Sequence, residues 1–498
     1  MSNSMSDRAF THRFIHAAQQ YPRHTAIKAG GVSVNYEELL RMVKTMMRLV
    51  EDHAVGETRL GVADQNDVLT YATFIAINLV GKTYVPLSTR GTSVRNAAIL
   101  EQANVKLVFS STAFSCGDIR VVLTGSKSHS AEHSREITIS SSSEPAYILF
   151  TSGSTGVPKG VPVMNKHLNA FFDFFLNRQH YDFSPADRFL QVYEAGFDVS
   201  VFSAFTPLFS GGSVYLIPRR NFPHLEIPQL LLDEEITVLS MVPTVLHYLH
   251  PYFPELQFEK LRYSFFSGDK LFQSHALAWS ECIPNARIVN CYGPTETTIV
   301  CTQFPWSAEA GEEQSLNGVV PLGKLFPGMD YLVLTETEQE ANENEQGELC
   351  LAGKQVISSY LNNQEAHRFL KYTKNGKEMV FYRSGDRVHV NTQGNLVFHG
   401  RTDTQVKING YRVEPGEIEA VLARITGIHL NAVVACDTAE GLQSLVAFVE
   451  GAGNADALRE QLAAHLPHYL LPKSIRFVES MPLTPNGKID KQKLLSFV

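Results

Sequence analysis

The sequence predicts an α/β protein: a large N-terminal domain of layered, mostly parallel sheets with helices, followed by a small mobile α+β domain. Three observations lead there. The 498-residue length suits one large unit plus a small one. Over the first four-fifths, short apolar runs alternate with stretches of helical period, the texture of strands and helices in layers. After Gly400 that texture changes.

In chain order, strands are expected at 146–150, 214–217, 238–242, 263–266 and 287–289. A helix is expected over 165–176, because Leu168, Phe171, Phe172 and Phe175 recur at i, i+3, i+4 and i+7, with Asn165 as N-cap. Beyond Gly400, residues 401–409 are polar with no helical period. Residues 414–425 read as a helix with Pro415 in its first turn and Ile418, Val421, Leu422 and Ile425 on one face. A strand (445–449), a helix (455–466) and a strand (474–478) complete the small domain. The expected boundaries are 1–400 for the large domain, 401–403 for a hinge and 404–498 for the small domain.

Composition excludes several classes. Lys and Arg total 43 against 51 Asp and Glu, a net charge of −8, so no nucleic-acid partner is expected. Hydrophobic content of 44% with 19% charged residues is that of a globular chain. The six cysteines are scattered without a CxxC, which excludes a zinc ribbon and suits a reducing compartment. The first residues lack the apolar core of a secretory signal. The most apolar run, 69–81, is too short to span a bilayer and contains Asn78. A cytoplasmic enzyme without membrane insertion is expected. The 18 histidines form no HExxH or HxH cluster and are given no role.

Several expected strands run into polar, glycine-containing loops at 151–156, 267–269 and 292–296. In open α/β sheets ligands bind beyond the carboxyl ends of strands, so these loops could share a site. The first has the chemistry of a phosphate cradle. Thr151, Ser152, Gly153, Ser154, Thr155 and Gly156 offer hydroxyls, backbone amides and close approach, and Lys159 adds charge. The spacing is not GxxxxGK[ST], which disfavours a P-loop NTPase. No GxSxG appears, so a serine triad is not indicated.

The string 147–160 resembles the phosphate-loop signature of the adenylate-forming superfamily, which includes acyl-CoA synthetases and nonribosomal-peptide-synthetase adenylation domains. Further motifs resemble the family's in order and rough spacing: 34–39, Asn290-Cys-Tyr-Gly-Pro-Thr-Glu296, 347–353, Tyr382-Arg-Ser-Gly-Asp386, 400–403, 407–414 and Asn486-Gly-Lys-Ile-Asp490. The resemblance covers nearly the whole chain and implies ATP and Mg²⁺ as cofactors. By it, Glu296 holds Mg²⁺, a hard cation that needs a carboxylate. Thr295 meets the α-phosphate. Tyr292 stacks on adenine and Asn290 bonds its edge. Gly268, Asp269, Cys291 and Gly293 line the nucleotide site. Asp386 accepts from the ribose hydroxyls. Arg401 contacts the nucleotide and Asp403 is the hinge. Lys488 is implied as the catalytic lysine, stabilising charge at the substrate carboxylate and α-phosphate.

The resemblance also places a substrate pocket. Asp198, in Gly196-Phe-Asp-Val-Ser200, would pair with an α-ammonium, since a buried carboxylate without a cationic partner is costly. Val199, Phe202, Ser240, Phe265, Ser267, Cys291, Ile299 and Val300 complete the pocket, with Lys488 at the carboxylate. Two Phe fill volume and no second charge awaits a polar side chain, so the expected substrate is small: glycine first, alanine second. One methyl discriminates by only about 1–3 kcal/mol. The chain runs ten residues beyond Lys488 without a phosphopantetheine-attachment pattern. This suggests loading of a separate phosphopantetheinylated carrier protein. It is similar to the free-standing ligases that charge carriers with D-alanine, or with glycine for lipid A, in cell-envelope modification. Ser358-Ser359 before Tyr360-Leu361, and the lack of Asp in 84–88, depart from the family pattern at positions that do no chemistry. The alternatives are an acyl- or aryl-CoA synthetase, disfavoured by Asp198, and an inactive scaffold, disfavoured by the intact Lys488, Glu296 and Asp386.

Overall fold

Two large sheets face one another across a shared apolar core. The computed structural model describes residues 8–125, 142–153, 157–219, 223–425, 428, 430–438, 442–484 and 489–498. One sheet has six strands, in the order Arg120–Leu123, Leu107–Ser110, Arg59–Asp64, Thr83–Ser88, Tyr147–Thr151, Lys159–Val163. All its pairs are parallel except the last. The other has nine strands, from Lys324–Leu325 at one edge to Val32–Asn35 at the other. It is parallel through its centre and antiparallel at both edges.

The helices Val68–Leu79 and Val199–Ser210 are buried almost throughout. They are apolar on all sides, as a helix held between layers must be. Tyr84, Tyr147 and Val161 of the smaller sheet share one cluster with Phe189, Phe265 and Val289 of the larger. Each such side chain taken from water contributes about 1.5–3 kcal/mol. The expected strands fall where the pattern put them; Tyr263–Phe266 matches to the residue.

Two features depart from the sequence reading. The helix Asn165–Phe175 is capped at Met164, not at Asn165. Asn165 is instead buried inside the helix, accepting from the Phe10 amide (2.9 Å) and the Asn78 side chain (3.0 Å). Asn78 in turn accepts from the Thr11 hydroxyl (2.9 Å), which explains a polar residue in the most apolar run of the chain. The second departure is a five-stranded sheet with only antiparallel pairs, built from Met329–Leu334, Gly347–Gly353, Phe369–Lys374, Lys377–Val390 and Leu396–Arg401.

The small C-terminal unit opens with a hairpin, Val406–Ile408 and Tyr411–Val413. Behind it, the strands Asn431–Asp437, Gln443–Glu450 and Ser474–Val478 form a sheet carrying the helices Pro415–Leu422 and Ala455–His465. Ile418, Leu422, Leu445 and Leu462 are its core. It docks on the large unit through a buried ion pair, Arg95 to Glu417 at 2.6 Å, and an edge-on contact of Phe197 with Tyr411 at 4.8 Å. Among the described residues, no helix is long and apolar enough to cross a membrane.

Candidate active site

A cavity of about 810 Å³ opens beyond the carboxyl ends of the parallel strands. Thr151 and Ser152, Ser267 and Gly268, and Tyr292 to Thr295 all line it, so the described parts of the three strand-end loops meet there. Asp198, Asp386 and Arg401 line it too. The small unit supplies the remaining wall with Lys407, Gly410, Tyr411 and Arg412 of its hairpin. Gly410 sits at φ +80°, and a Cβ there would lie 2.3 Å from Val242 Cγ1, so only glycine permits this close docking.

Asp198 stands at the head of the helix Val199–Ser210, and its Oδ2 is buried without a hydrogen-bond partner. Burial pushes its carboxyl up to about 6, held back by the Thr295 hydroxyl and the Val199 amide. A carboxylate left short of partners in a cavity wall is a receptor for a cationic donor. Ser267, Val199 and Ile299 line the cavity beside it. Ile299 and its neighbour Thr298 both have positive φ, +74° and +61°, a conformation that β-branched residues seldom adopt. Gln355 holds that turn by donating to the carbonyls of Thr297 (3.2 Å), Thr298 (3.3 Å) and Val300 (2.9 Å).

Glu296 is fully buried and not free. Arg412 of the hairpin donates to both its oxygens, at 2.8 and 3.0 Å, and the Tyr360 hydroxyl donates to Oε1. Burial alone would raise this carboxyl, but Arg412 and Tyr360 outweigh it and bring it to about 2. Asp386 is similarly engaged, accepting from Arg401 and from the Tyr292 hydroxyl. Arg401 also bonds Asp403 (2.8 Å) and the Ser384 carbonyl (2.9 Å). Asp403 is held below its usual range, because Arg401 and Arg368 overcome the opposing effect of burial. Half-buried Lys407 lies 5.9 Å from the Tyr292 ring centroid and is pushed down by desolvation, with Asp386 and Asp269 resisting. Asp269 is raised by burial, with Lys407 and the Thr244 hydroxyl acting against it.

Other residues singled out in the sequence lie elsewhere. Asn290 does not line the cavity; its amide donates to the Pro321 carbonyl at 2.9 Å, so it is not presented to an adenine edge in this arrangement. Lys159 is paired with Glu365 (3.1 Å) and Glu414 (3.8 Å) rather than facing the cavity. Phe202, Ser240, Phe265, Cys291 and Val300 are buried behind the wall, with Ser240 and Phe265 as register partners on adjacent strands. Gly153 packs so tightly that a Cβ would lie 1.9 Å from the Val157 carbonyl oxygen. Ser154, Thr155, Gly156 and Lys488 fall outside the described residues. Sequence reasoning gave no role to Arg412, Lys407 or Gln355; the motif at 407–414 was the available signal for the first two.

Comparison with known proteins bears on this geometry. Residues 14–361 match the AMP-binding enzyme family, and residues 417–488 match the AMP-binding enzyme C-terminal domain. The chain belongs to the AMP-binding enzymes. Its relatives are of the nonribosomal-peptide-synthetase adenylation type. It is 31% identical to a dimodular nonribosomal peptide synthase of Bacillus subtilis, over 95% of this chain but 20% of that protein. It is 28% identical to zwittermicin A synthase ZmaJ of Bacillus cereus, over 95% of this chain and 92% of the relative. Among solved structures, the Vibrio cholerae adenylation domain AlmE, in complex with glycyl-adenosine-5'-phosphate, superposes with a TM-score of 0.82 at 25% identity, covering 100% of this chain and 99% of AlmE. PA1221, a nonribosomal peptide synthetase protein containing adenylation and PCP domains, gives 0.85 at 27% identity, covering 98% and 84%. Its fold is that of the adenylate-forming enzymes, with a large N-terminal and a small C-terminal domain.

Proposed function

We propose that this AMP-binding enzyme activates a small amino acid, glycine first and alanine second. ATP and the acid would give aminoacyl-AMP and pyrophosphate, and the acyl group would pass to the thiol of a phosphopantetheinylated carrier protein. The observation that carries this reading is the unpartnered, buried oxygen of Asp198 in the cavity wall. It suits an α-ammonium and is unfavourable toward an acid without one. The glycyl-adenylate held by AlmE and the carrier domain within PA1221 support the substrate class and the acceptor.

In the first step a carboxylate oxygen attacks the α-phosphorus and the bond to pyrophosphate breaks. Asp198 would fix the ammonium and Asp386 the ribose hydroxyls. Thr151 and Ser152 would donate to phosphate, and Lys488, by its motif, would offset charge at the α-phosphate. Glu296 is chemically suited to Mg²⁺, being ionised and able to give one ligand while phosphate oxygens and water complete the set. Mg²⁺ bound there would neutralise phosphate charge. Arg412 now covers both Glu296 oxygens, so the hairpin must withdraw first. We assign the large domain to 1–400, the hinge to 401–403 about Asp403, and the moving domain to 404–498. In the second step the carrier thiol loses its proton, its sulfur attacks the carbonyl, and AMP leaves.

We further propose a separate carrier, a cytoplasmic site of action and a role in cell-envelope modification, following the sequence resemblance. The test is intact-mass analysis of a phosphopantetheinylated carrier protein after incubation with enzyme, ATP, Mg²⁺ and glycine. A carrier heavier by one glycyl residue, only when ATP is present, supports the proposal; an unchanged mass with every small amino acid contradicts it.

A further inference from the structure

The pocket positions behind the wall, Ser240, Phe265 and Cys291, do not reach the cavity, whereas Tyr193 does. Tyr193 lies five residues before Asp198 and was not among the residues the sequence suggested. Tyr193 lines the cavity and its hydroxyl is buried. Ser240, Ser267, Asp198 and Cys291 are all close enough to that hydroxyl to act on it electrostatically. Those neighbours are the positions expected to surround a substrate side chain. None of the Tyr193, Ser240 and Ser267 hydroxyls has a hydrogen-bond partner of full geometry.

We propose that Tyr193 plugs the side-chain subsite and limits the substrate to glycine. The inference rests on the adenylation reading and narrows it. In this reading the phenol takes the room that a side chain on the substrate α-carbon would need beside an ammonium fixed at Asp198, which lines the same cavity. A substrate without a side chain needs no such room. Alanine must displace the ring, and larger residues more so. A core that is already close-packed resists even one added methyl group.

The test is acid-dependent ATP–pyrophosphate exchange on the wild-type enzyme and on Tyr193→Ala and Tyr193→Phe. The panel is glycine, alanine, serine, valine, acetate and hexanoate. Wild type is expected to favour glycine over alanine by about 10–200-fold in kcat/KM, the span that one methylene supplies. Tyr193→Ala should narrow that ratio at least tenfold and admit serine, while Tyr193→Phe, which keeps the ring, should keep the size limit. Tyr193→Ser repeats the measurement if the alanine variant does not fold. An unchanged size limit in Tyr193→Ala overturns the plug, as does a wild type that prefers serine to glycine. Exchange with acetate or hexanoate alone would instead overturn the amino-acid reading; the plug would still be judged by whether Tyr193→Ala lengthens the accepted acid. No exchange with any acid in any of these proteins overturns both.

Discussion

Replacing Asp198 with Asn separates binding from folding. The Asp198 carboxyl is raised from an ordinary 3.8 to about 6, chiefly by burial. That rise corresponds to about 3 kcal/mol by which the ionised form destabilises the fold at neutral pH. Because the folded pKa lies above the unfolded one, the wild type binds more protons folded than unfolded across this range. Its stability therefore falls as pH rises from about 4 to about 6, and stays lowered above. Asp198→Asn removes the effect, so urea unfolding at pH 7.5 should show a variant more stable than wild type, by up to about 3 kcal/mol. The same change leaves a bound ammonium without its counter-charge, a loss of about 3–5 kcal/mol. Glycine-dependent pyrophosphate exchange should then fall about 10²–10⁴-fold in kcat/KM. In the wild type, KM for glycine should rise about tenfold per pH unit below about 6, as Asp198 takes up a proton. A variant that exchanges within tenfold of wild type, or that is less stable, would refute the assignment of Asp198.

Asp386→Ala removes the acceptor proposed for both ribose hydroxyls; KM for ATP should rise about 10–100-fold, read by exchange at saturating glycine, with KM for glycine little changed. Arg412→Ala strips a fully buried Glu296 of its ion pair in the observed domain arrangement, a loss of about 3–5 kcal/mol that should bias the small domain away from it. Transfer to the carrier, measured in single turnover from preformed aminoacyl-AMP, should slow while pyrophosphate exchange persists. Gly410→Ala places a Cβ 2.3 Å from Val242 Cγ1 at a φ of +80°, so it should impair the same docking and slow transfer more than exchange.

Much of the fold was legible because its periodicities are local. Runs such as 263–266 and 474–478 are short, rich in aromatic and β-branched residues and bounded by polar ones, and both match observed strands to the residue. The antiparallel five-stranded sheet was not legible. Its strands Gly347–Gly353 and Lys377–Val390 drew attention as motifs, and the pairing of Glu348 with Arg387 is a tertiary fact. Asn165 misled for a related reason: a capping residue type at a helix start was bonded to Phe10 across the core. At the site, Asp198 could be singled out because the stretch Gly196-Phe-Asp-Val-Ser200 resembles the family's, which places an acidic residue opposite a substrate ammonium. Arg412 could not, since its partner Glu296 lies 116 positions away. Tyr193 was equally hidden, because nothing local shows that its hydroxyl lies within the influence of Ser240 and Ser267, more than 40 positions away.

The most direct test of the account is exchange of labelled pyrophosphate into ATP across glycine, both alanine enantiomers, larger amino acids, and fatty and aryl acids. The account predicts exchange with glycine, weaker exchange with alanine, and none with acids that lack an amine. Exchange confined to amine-free acids would contradict it, leaving Asp198 a structural residue and the chain an acyl- or aryl-activating member of its family.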